Sequence, residues 1–228
     1  MALHHDLSAY DVEDRTYSID EWLALEQRTG KRFEYHEGRL LPFEMMAGGT
    51  FEHSVVSANV ITAINRHFVD AGLPARCRTC SSDLKIKIPG TNRYVLPDAA
   101  VVCGTPEFDA IVKTAIRNPT VVVEVLSESS ERYDPTRKFE YYSALPTLRH
   151  YVLVSQDEAH VEVRTRREGE DSWRFEYYYG TEATVALPAI GLEVGTGEVY
   201  FGVEFDDGGE PGDGGEGGEP GEGEAVPA

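Results

Sequence analysis

Apolar residues recur at helical spacing from residue 51 to residue 69, and this segment is the clearest predicted helix of the chain. A second helix is predicted to begin at Ser18, because the sequence S-I-D-E offers a capping box in which Glu21 closes back on Ser18. This helix is expected to end near Arg28. A third helix is predicted over residues 134–145 (DPTRKFEYYSAL), with Asp134 as its N-cap.

Alternating and continuous apolar runs predict the strands. The segment PTVVVEVLS (119–127) is apolar except for one acid, which is typical of a strand buried on both faces. Two hairpins are predicted, one in residues 32–45 around Gly38 and one over residues 83–103 with its turn at P-G-T-N. Further strands are predicted within residues 150–155, 159–166, 173–179 and 184–187.

This order of elements predicts one mixed α/β (α+β) domain, with a central sheet flanked by helices and a β-rich C-terminal part. The domain is expected over residues 17–205, after a flexible extension at residues 1–16. Residues 206–228 hold nine Gly and three Pro, with Val226 as the single large apolar residue. Such a segment cannot offset the entropy of ordering, so we expect a disordered acidic tail.

The net charge of −19 changes this picture in one respect. The predicted tail accounts for eight of the 40 acids and for no Lys or Arg, which leaves 32 acids against 21 bases in residues 1–205. A body this acidic lacks the broad basic surface of a protein that coats nucleic acid. Any contact with nucleic acid therefore requires a locally positive groove or a metal-filled site.

The location of the protein is expected to be cytoplasmic. No apolar run approaches the roughly 20 residues that span a bilayer. The first residues lack a basic stretch followed by an apolar one, so no signal peptide is expected. The cysteines Cys77, Cys80 and Cys103 form a small odd set, which favours reduced thiols over a disulfide framework.

Two acids flanked by strand-forming residues are the strongest chemical signal. Glu124 lies inside V-V-V-E-V-L, where an unpaired carboxylate is costly, and Asp98 lies in L-P-D-A-A-V-V. If their strands are neighbours, both carboxylates reach one edge of a sheet, and such oxygen ligands suit Mg²⁺ or Mn²⁺. The alternative is that each is an ordinary structural acid.

Lys138, one helix beyond Glu124, is the candidate cation of this site. It would act as a fixed positive charge beside a metal-bound water or a scissile phosphate. Asp134 and Lys138 are also spaced i,i+4, so a plain ion pair on a helix surface is the competing interpretation.

Five segments, taken in order, resemble the Uma-type group of restriction endonucleases, within the PD-(D/E)XK nuclease superfamily. They are FEYHEG (33–38), His53 in TFEHSVV, PDAAV (97–101), PTVVVEVLSESS (119–130) and DPTRKFEYY (134–142). The resemblance covers about residues 17–205 and implies a restriction-endonuclease-like fold with a central mixed sheet. One departure is Leu126, which stands where the superfamily has a lysine. The resemblance to the Uma-type group implies that this lysine lies on the next helix, at Lys138.

The resemblance implies a role for each site residue. Asp98 and Glu124 would ligate Mg²⁺ or Mn²⁺ with the Val125 carbonyl, and Glu34 would complete the ligand set or position water. Lys138 would orient the nucleophile. His53 would be a general base, a phosphate contact or a structural partner, and a supporting role is favoured. Tyr142 is expected to pack in the core and to form a hydrogen bond.

The sequence therefore predicts a Mg²⁺-dependent endonuclease that hydrolyses phosphodiester bonds, with DNA as the expected partner, no membrane partner and a homodimer as one option. Two alternatives stay open. One is a nuclease-fold protein with a damaged site that binds nucleic acid or regulates, which Leu126 supports. The other is a phosphodiesterase or ribonuclease acting on a different nucleic acid.

Overall fold

A computed structural model describes residues 15–43, 50–72, 76–126 and 137–205. It contains helices α1 (Ile19–Thr29), α2 (Phe51–Asp70), α3 (Phe139–Ser143) and α4 (Thr196–Val199), and a 3₁₀ turn at Pro188–Ile190. Its strands are β1 (Phe33–His36), β2 (Arg39–Pro42), β3 (Cys77–Ser81), β4 (Lys85–Ile88), β5 (Arg93–Val95), β6 (Ala99–Cys103), β7 (Ala115–Ile116), β8 (Val121–Leu126), β9 (His150–Ser155), β10 (His160–Arg166), β11 (Trp173–Tyr179), β12 (Thr184–Leu187) and β13 (Leu192–Gly195).

The first helix forms as its sequence predicts. Ser18 is the N-cap of α1, its Oγ accepts a hydrogen bond from the Glu21 N–H, and the Glu21 carboxylate accepts one from the Ser18 N–H. Gly30 ends the helix in the left-handed conformation, which glycine adopts without steric cost. The helix buries Trp22, whose indole N–H donates to the Phe33 carbonyl and so fixes α1 against β1.

The strands form two large mixed sheets and a small hairpin. The first sheet has five strands in the order β2-β1-β5-β4-β7, and the second has six in the order β11-β10-β9-β8-β6-β3. In the second sheet β8 and β9 are parallel, and the other neighbours are antiparallel. The fold is thus the mixed α+β class that the sequence predicts.

The predicted hairpin over residues 83–103 is partly wrong. Strands β4 and β5 do pair as a hairpin in the first sheet, but the chain then breaks at residues 96–98 and continues as β6 in the second sheet. Because Pro97 has no backbone N–H to donate, it interrupts the ladder between two apolar runs that read as one strand. Strands β3, β7 and β13 are not predicted by the sequence patterns.

Each face of the six-stranded sheet covers its own core. Residues Val121, Val123 and Val125 of β8 point to the side covered by α2, whose Val56, Val60 and Ile64 pack there. The opposite face, with Val122 of β8, packs against α3 through Tyr142. Strand β8 is therefore buried on both faces, as its continuous apolar sequence predicts.

The cysteines differ from their prediction. Cys77 and Cys103 lie directly opposite each other in the antiparallel pairing of β3 with β6 and form a disulfide, while Cys80 is free. The expectation of a fully reduced set is thus wrong, because a spacing of 26 residues does not reveal a cross-strand pair when one of the strands is not predicted.

Within the described residues, no helix is long and apolar enough to cross a membrane.

Several predictions lie outside the described residues. These are most of the extension at residues 1–16, the acidic tail at residues 206–228, and the first residues of the third helix, which include Asp134. Within the described part, Arg15 of the extension forms an ion pair with Glu21 at 2.8 Å.

The turn between β1 and β2 provides a test of backbone strain. Glu37 and Gly38 both have positive φ (54° and 95°), as in the two-residue turns that join antiparallel strands. A Cβ added at Gly38 would lie 2.4 Å from Thr16 Cγ2, whereas one at Gly30, also at positive φ, would meet nothing within 4 Å. We expect Gly38→Ala to lower the free energy of unfolding by more than the roughly 1–2 kcal/mol that the left-handed backbone alone costs at Gly30→Ala. Urea denaturation of the two variants measures the difference, and equal losses would contradict the steric argument.

A buried histidine makes stability depend on pH. His150 in β9 accepts a hydrogen bond from the Ala189 N–H at Nε2, and its Nδ1 lies 3.1 Å from Thr165 Oγ1. Burial, together with the charges of Arg174 and Arg149, lowers its pKa from 6.5 to about 4. The unfolded chain therefore binds this proton first, and stability falls as the pH drops from 6.5 toward 4. His150→Gln should flatten this part of the pH profile of urea denaturation by an amount on the order of 3 kcal/mol. If the free energy of unfolding of His150→Gln depends on pH as that of the wild type does, His150 does not cause the loss of stability.

Candidate active site

A buried lysine lies at the centre of the candidate site. The side chain of Lys138, just before α3, is almost completely excluded from solvent. Its Nζ lies 2.9 Å from Oε2 of Glu124 and 3.5 Å from Oε1 of Glu34, and both carboxylates are also buried. An isolated buried charge is very costly, so the three groups stabilise one another as ions.

Three separate elements supply these groups. Glu34 comes from β1 of the five-stranded sheet, and Glu124 comes from β8 of the six-stranded sheet. Lys138 lies between the two sheets, and the Tyr142 hydroxyl, one helical turn further along, donates to Oε1 of Glu124 at 2.8 Å. Burial and the neighbouring charge of Glu124 raise the pKa of Tyr142 well above its usual value, so the hydroxyl remains a donor at neutral pH.

Glu34 is held as an anion by three contacts. Beyond Lys138, its Oε1 accepts from the Leu96 N–H at 3.0 Å, and its Oε2 lies 2.8 Å from Nε2 of His36. Burial raises the pKa of Glu34, but the charge of Lys138 and the contacts with His36 and Leu96 outweigh it, so the net pKa is below its usual range. Leu96 belongs to the break at which the chain leaves the five-stranded sheet.

Asp98 and His53 form the other half of the candidate site. Asp98 precedes β6, and its Oδ2 accepts a hydrogen bond from the Val125 N–H at 2.7 Å. Its Oδ2 also lies 3.4 Å from Nε2 of His53, in the first turn of α2. The geometry of this contact leaves the buried His53 Nε2 without a hydrogen-bond partner among the described residues.

Thr50, the N-cap of α2, fixes the backbone of His53. Its Oγ1 accepts from the His53 N–H at 3.0 Å and donates to Oε1 of Gln156 at 3.0 Å, beyond the end of β9. The start of α2 is thereby tied to the same sheet that carries Glu124. The predicted position of His53 at a helix start is correct.

The structure brings the predicted residues together in one region. Lys138 joins Glu34 to Glu124, and Asp98 reaches the backbone of Val125, the neighbour of Glu124. The competing interpretation of Lys138 as a helix-surface residue is not supported, because its side chain is buried. The catalytic and ligand roles of these residues remain predictions.

The donors fit a divalent cation in part. In the described ranges, no group of three or more His, Cys, Asp and Glu side chains is arranged to hold a metal ion. Asp98 beside the unpartnered, buried His53 Nε2 nevertheless forms the kind of donor pair that a cation would complete. By contrast, Lys138 already neutralises Glu34 and Glu124. Asp98 is therefore the predicted ligand that fits a cation best, whereas Glu124 and Glu34 would have to share their charge between Lys138 and the cation.

Two contacts of the site were missed. His36 lies two residues after Glu34, hence on the same face of β1, and this alternation was the available signal. The Leu96 N–H donates to Glu34 across the break between β5 and β6. The sequence of this segment predicts one continuous strand, so the contact was not expected. The expected hydrogen bond of Tyr142 is confirmed, and its acceptor is Glu124.

The site allows a test of charge and stability. Because the pKa of Glu34 is lowered in the folded state, its stabilising contribution is present above the unfolded value near 4.5 and is lost as the pH falls below it. Glu34→Gln should therefore destabilise the protein at pH 7 and reduce the loss of stability between pH 5 and pH 3. The exposed Glu193 provides the control variant Glu193→Gln. Urea denaturation at each pH gives the comparison, and parallel wild-type and Glu34→Gln profiles would contradict it.

Comparison with known proteins adds a family and a fold. Residues 19–196 match the model of the Uma2 family, described as "Putative restriction endonuclease". The "Uncharacterized protein slr1290" of Synechocystis sp. is 34% identical over 188 residues, 82% of this chain and 93% of that protein. The "Uncharacterized protein sll1609" of the same organism is 26% identical over 165 residues, 72% of this chain and 89% of that protein.

One similar crystal structure supports the fold. It is described as "a putative nuclease belonging to DUF820" from Anabaena variabilis, and it aligns with a TM-score of 0.61 over 79% of this chain and 96% of its own. At 20% identity, this similarity concerns the arrangement of helices and strands.

Proposed function

Since this chain belongs to the Uma2 family, whose description is "Putative restriction endonuclease", we propose that it is a metal-dependent endonuclease that hydrolyses phosphodiester bonds of DNA. The carrying observation is the burial of Lys138 between Glu34 and Glu124. A buried ion triad is often no more stabilising than apolar residues of the same volume, so its presence in a core favours a functional role.

Asp98, Glu124 and the Val125 carbonyl are the proposed ligands of Mg²⁺ or Mn²⁺. In a strand, the N–H and C=O of one residue point to the same neighbouring strand. The Val125 N–H points to Asp98, so its carbonyl oxygen faces the same side. The Leu126 carbonyl, which accepts from the Gln156 N–H, points the other way, toward β9, as this alternation requires. When bound, the cation would lower the pKa of a water molecule and neutralise the phosphate.

Lys138 supplies the positive charge of the proposed reaction. Phosphoryl transfer depends mainly on positioning and on neutralising the negative charge that the phosphate oxygens accumulate in the transition state. Two carboxylates from different sheets hold the ammonium at a fixed position, which is the positioning that this role needs. Glu34, the fourth predicted ligand, is proposed to position Lys138 and, when a metal is bound, a water molecule.

His53 is proposed to orient Asp98. Its Nε2 lies 3.4 Å from Asp98 Oδ2, and its backbone is fixed by Thr50. A protonated or donor Nε2 would keep the carboxylate turned toward the cation, which is the supporting role that the sequence favours.

The alternative, a catalytically impaired nuclease fold that binds nucleic acid or regulates, has its own support. Leu126 replaces the lysine of the superfamily, and both carboxylate oxygens of Glu124 already have partners, Lys138 and Tyr142. If these contacts persist in the presence of a metal, Glu124 is not available as a ligand.

A plasmid-nicking assay with Mg²⁺ or Mn²⁺ tests the proposal. We expect the wild type to nick supercoiled DNA, and Asp98→Asn or Lys138→Met to lower the rate about 100-fold or more, because each removes a preorganised charge. The exposed Lys113 gives the matched control Lys113→Met, which should cleave at the wild-type rate. Urea denaturation identifies any variant that is unfolded, which matters for Lys138→Met because it removes the cation that two buried carboxylates share.

Three results would contradict the proposal. Cleavage that persists in Asp98→Asn would exclude this site, and cleavage that persists in EDTA would exclude a metal. No cleavage of DNA by any form would favour the alternative, unless labelled RNA is cut in parallel reactions, which would assign the site to a ribonuclease.

A further inference from the structure

Strand β11 carries a row of exposed aromatic rings. Its residues Trp173, Phe175, Tyr177 and Tyr179 alternate along the strand and so share one face of the sheet. Phe175, Tyr177 and Tyr179 are 44%, 54% and 67% exposed, and β11 is the edge strand of the six-stranded sheet among the described residues. We call these four side chains the ring row.

Strand β10 places mainly basic side chains beside the ring row. By register, Arg166 lies opposite Trp173, Arg164 opposite Phe175, Glu162 opposite Tyr177 and His160 opposite Tyr179. The Arg164 guanidinium lies 5.0 Å from the centre of the Phe175 ring, and that of Arg166 lies 4.6 Å from the centre of the Trp173 ring. Arg164 is ion-paired with Glu162 at 2.6 Å, and Arg166 donates to the backbone carbonyls of Leu148 and Leu145. The two guanidinium groups thus hold the rings in place, and the exposed ring faces are the surface open to a partner.

The far end of the ring row is already a stack. The His160 ring lies 4.5 Å from Tyr179 with an angle of 4° between the planes, and 6.1 Å from Tyr177 with an angle of 18°. Nearly parallel rings leave outer faces on which a further flat ring can continue the stack.

The ring row lies on the same sheet face as the candidate active site. Register pairs Glu124 with Leu153, Leu153 with Glu162, and Glu162 with Tyr177. Three strand spacings separate Glu124 from Tyr177, a distance of about 14 Å.

The near end of the row meets α3. Phe139 directly follows Lys138 in the chain, and its ring lies 5.1 Å from Trp173 and 6.0 Å from Phe175. An aromatic path therefore runs from the buried lysine to the open edge of the sheet.

We propose that the ring row binds unpaired, single-stranded nucleic acid by stacking its bases, and that it leads this strand to the Lys138 site. This inference rests on the proposed function, whose substrate form it names. Bases stack on aromatic side chains with little dependence on sequence, and exposed ring faces in a row are the surface that such stacking needs.

Single strands fit the row better than duplex DNA. In a duplex the flat faces of the bases are covered by their neighbours, so binding relies on many phosphate contacts. A chain with a net charge of −19 is poorly suited to that mode. A second copy of this chain could instead pair with the edge of β11, but such pairing uses the backbone groups of the edge rather than the faces of the rings.

Fluorescence anisotropy in EDTA tests the proposal with a labelled 15-nucleotide oligothymidine and a labelled 15-base-pair duplex. We expect the wild type to prefer the single strand. The double variant Tyr177→Ala/Tyr179→Ala should bind oligothymidine at least tenfold more weakly and leave duplex affinity within about twofold. Tyr177→Phe/Tyr179→Phe should retain wild-type affinity, because it keeps the rings. Phe201, which is 76% exposed and lies near α2 on the opposite side of the sheet, supplies the control Phe201→Ala.

Unchanged oligothymidine affinity in the Tyr→Ala variant would overturn the proposal. If that variant also converts a dimer to a monomer in analytical ultracentrifugation, the row belongs to a second copy of the chain. Because binding is measured without a metal, failure of the two proposals can be told apart. Ring-dependent binding without any cleavage would contradict the nuclease proposal alone, and nicking with ring-independent binding would contradict the ring row alone.

Discussion

The ion triad of Glu34, Lys138 and Glu124 is the interaction on which the arrangement of this protein depends. Each carboxylate comes from a different sheet, and the ammonium between them is buried. Removing one partner of such a group typically costs about 3–5 kcal/mol, because the remaining charges have no solvent. The triad therefore constrains how the two sheets approach each other, and it places three charged groups at one buried point.

Local patterns were sufficient to predict most elements. The capping box at Ser18 predicts the start of α1, the apolar spacing predicts α2, and the continuous apolar run predicts β8. The patterns failed where the structure depends on distant pairing. Strand β3 is mostly polar, and it is fixed by its register with β6 and by the disulfide between Cys77 and Cys103.

The candidate site was predictable in its residue types and only partly in its contacts. An acid inside a buried strand requires a partner, so the sequence predicts Glu124 as a site residue and Lys138 as its candidate cation. Sequence does not show that one ammonium bonds two carboxylates, or that Tyr142 donates to Glu124, because these contacts depend on how α3 packs between the sheets. Strand alternation places His36 and Glu34 on the same face of β1. Because Glu34 is buried in the folded protein, its carboxylate bonds to His36 rather than to water.

The break at residues 96–98 has a consequence for mechanics. Within three residues the chain donates the Leu96 amide to Glu34 of the first sheet and presents the Asp98 carboxylate to Val125 of the second. This short connector is thus anchored at both ends inside the candidate site. Any small rotation of one sheet against the other must change the distances between the charged groups there, so the site reports the relative position of the two halves of the fold. A distant substitution in either core can consequently alter the chemistry of the site without touching any of its residues.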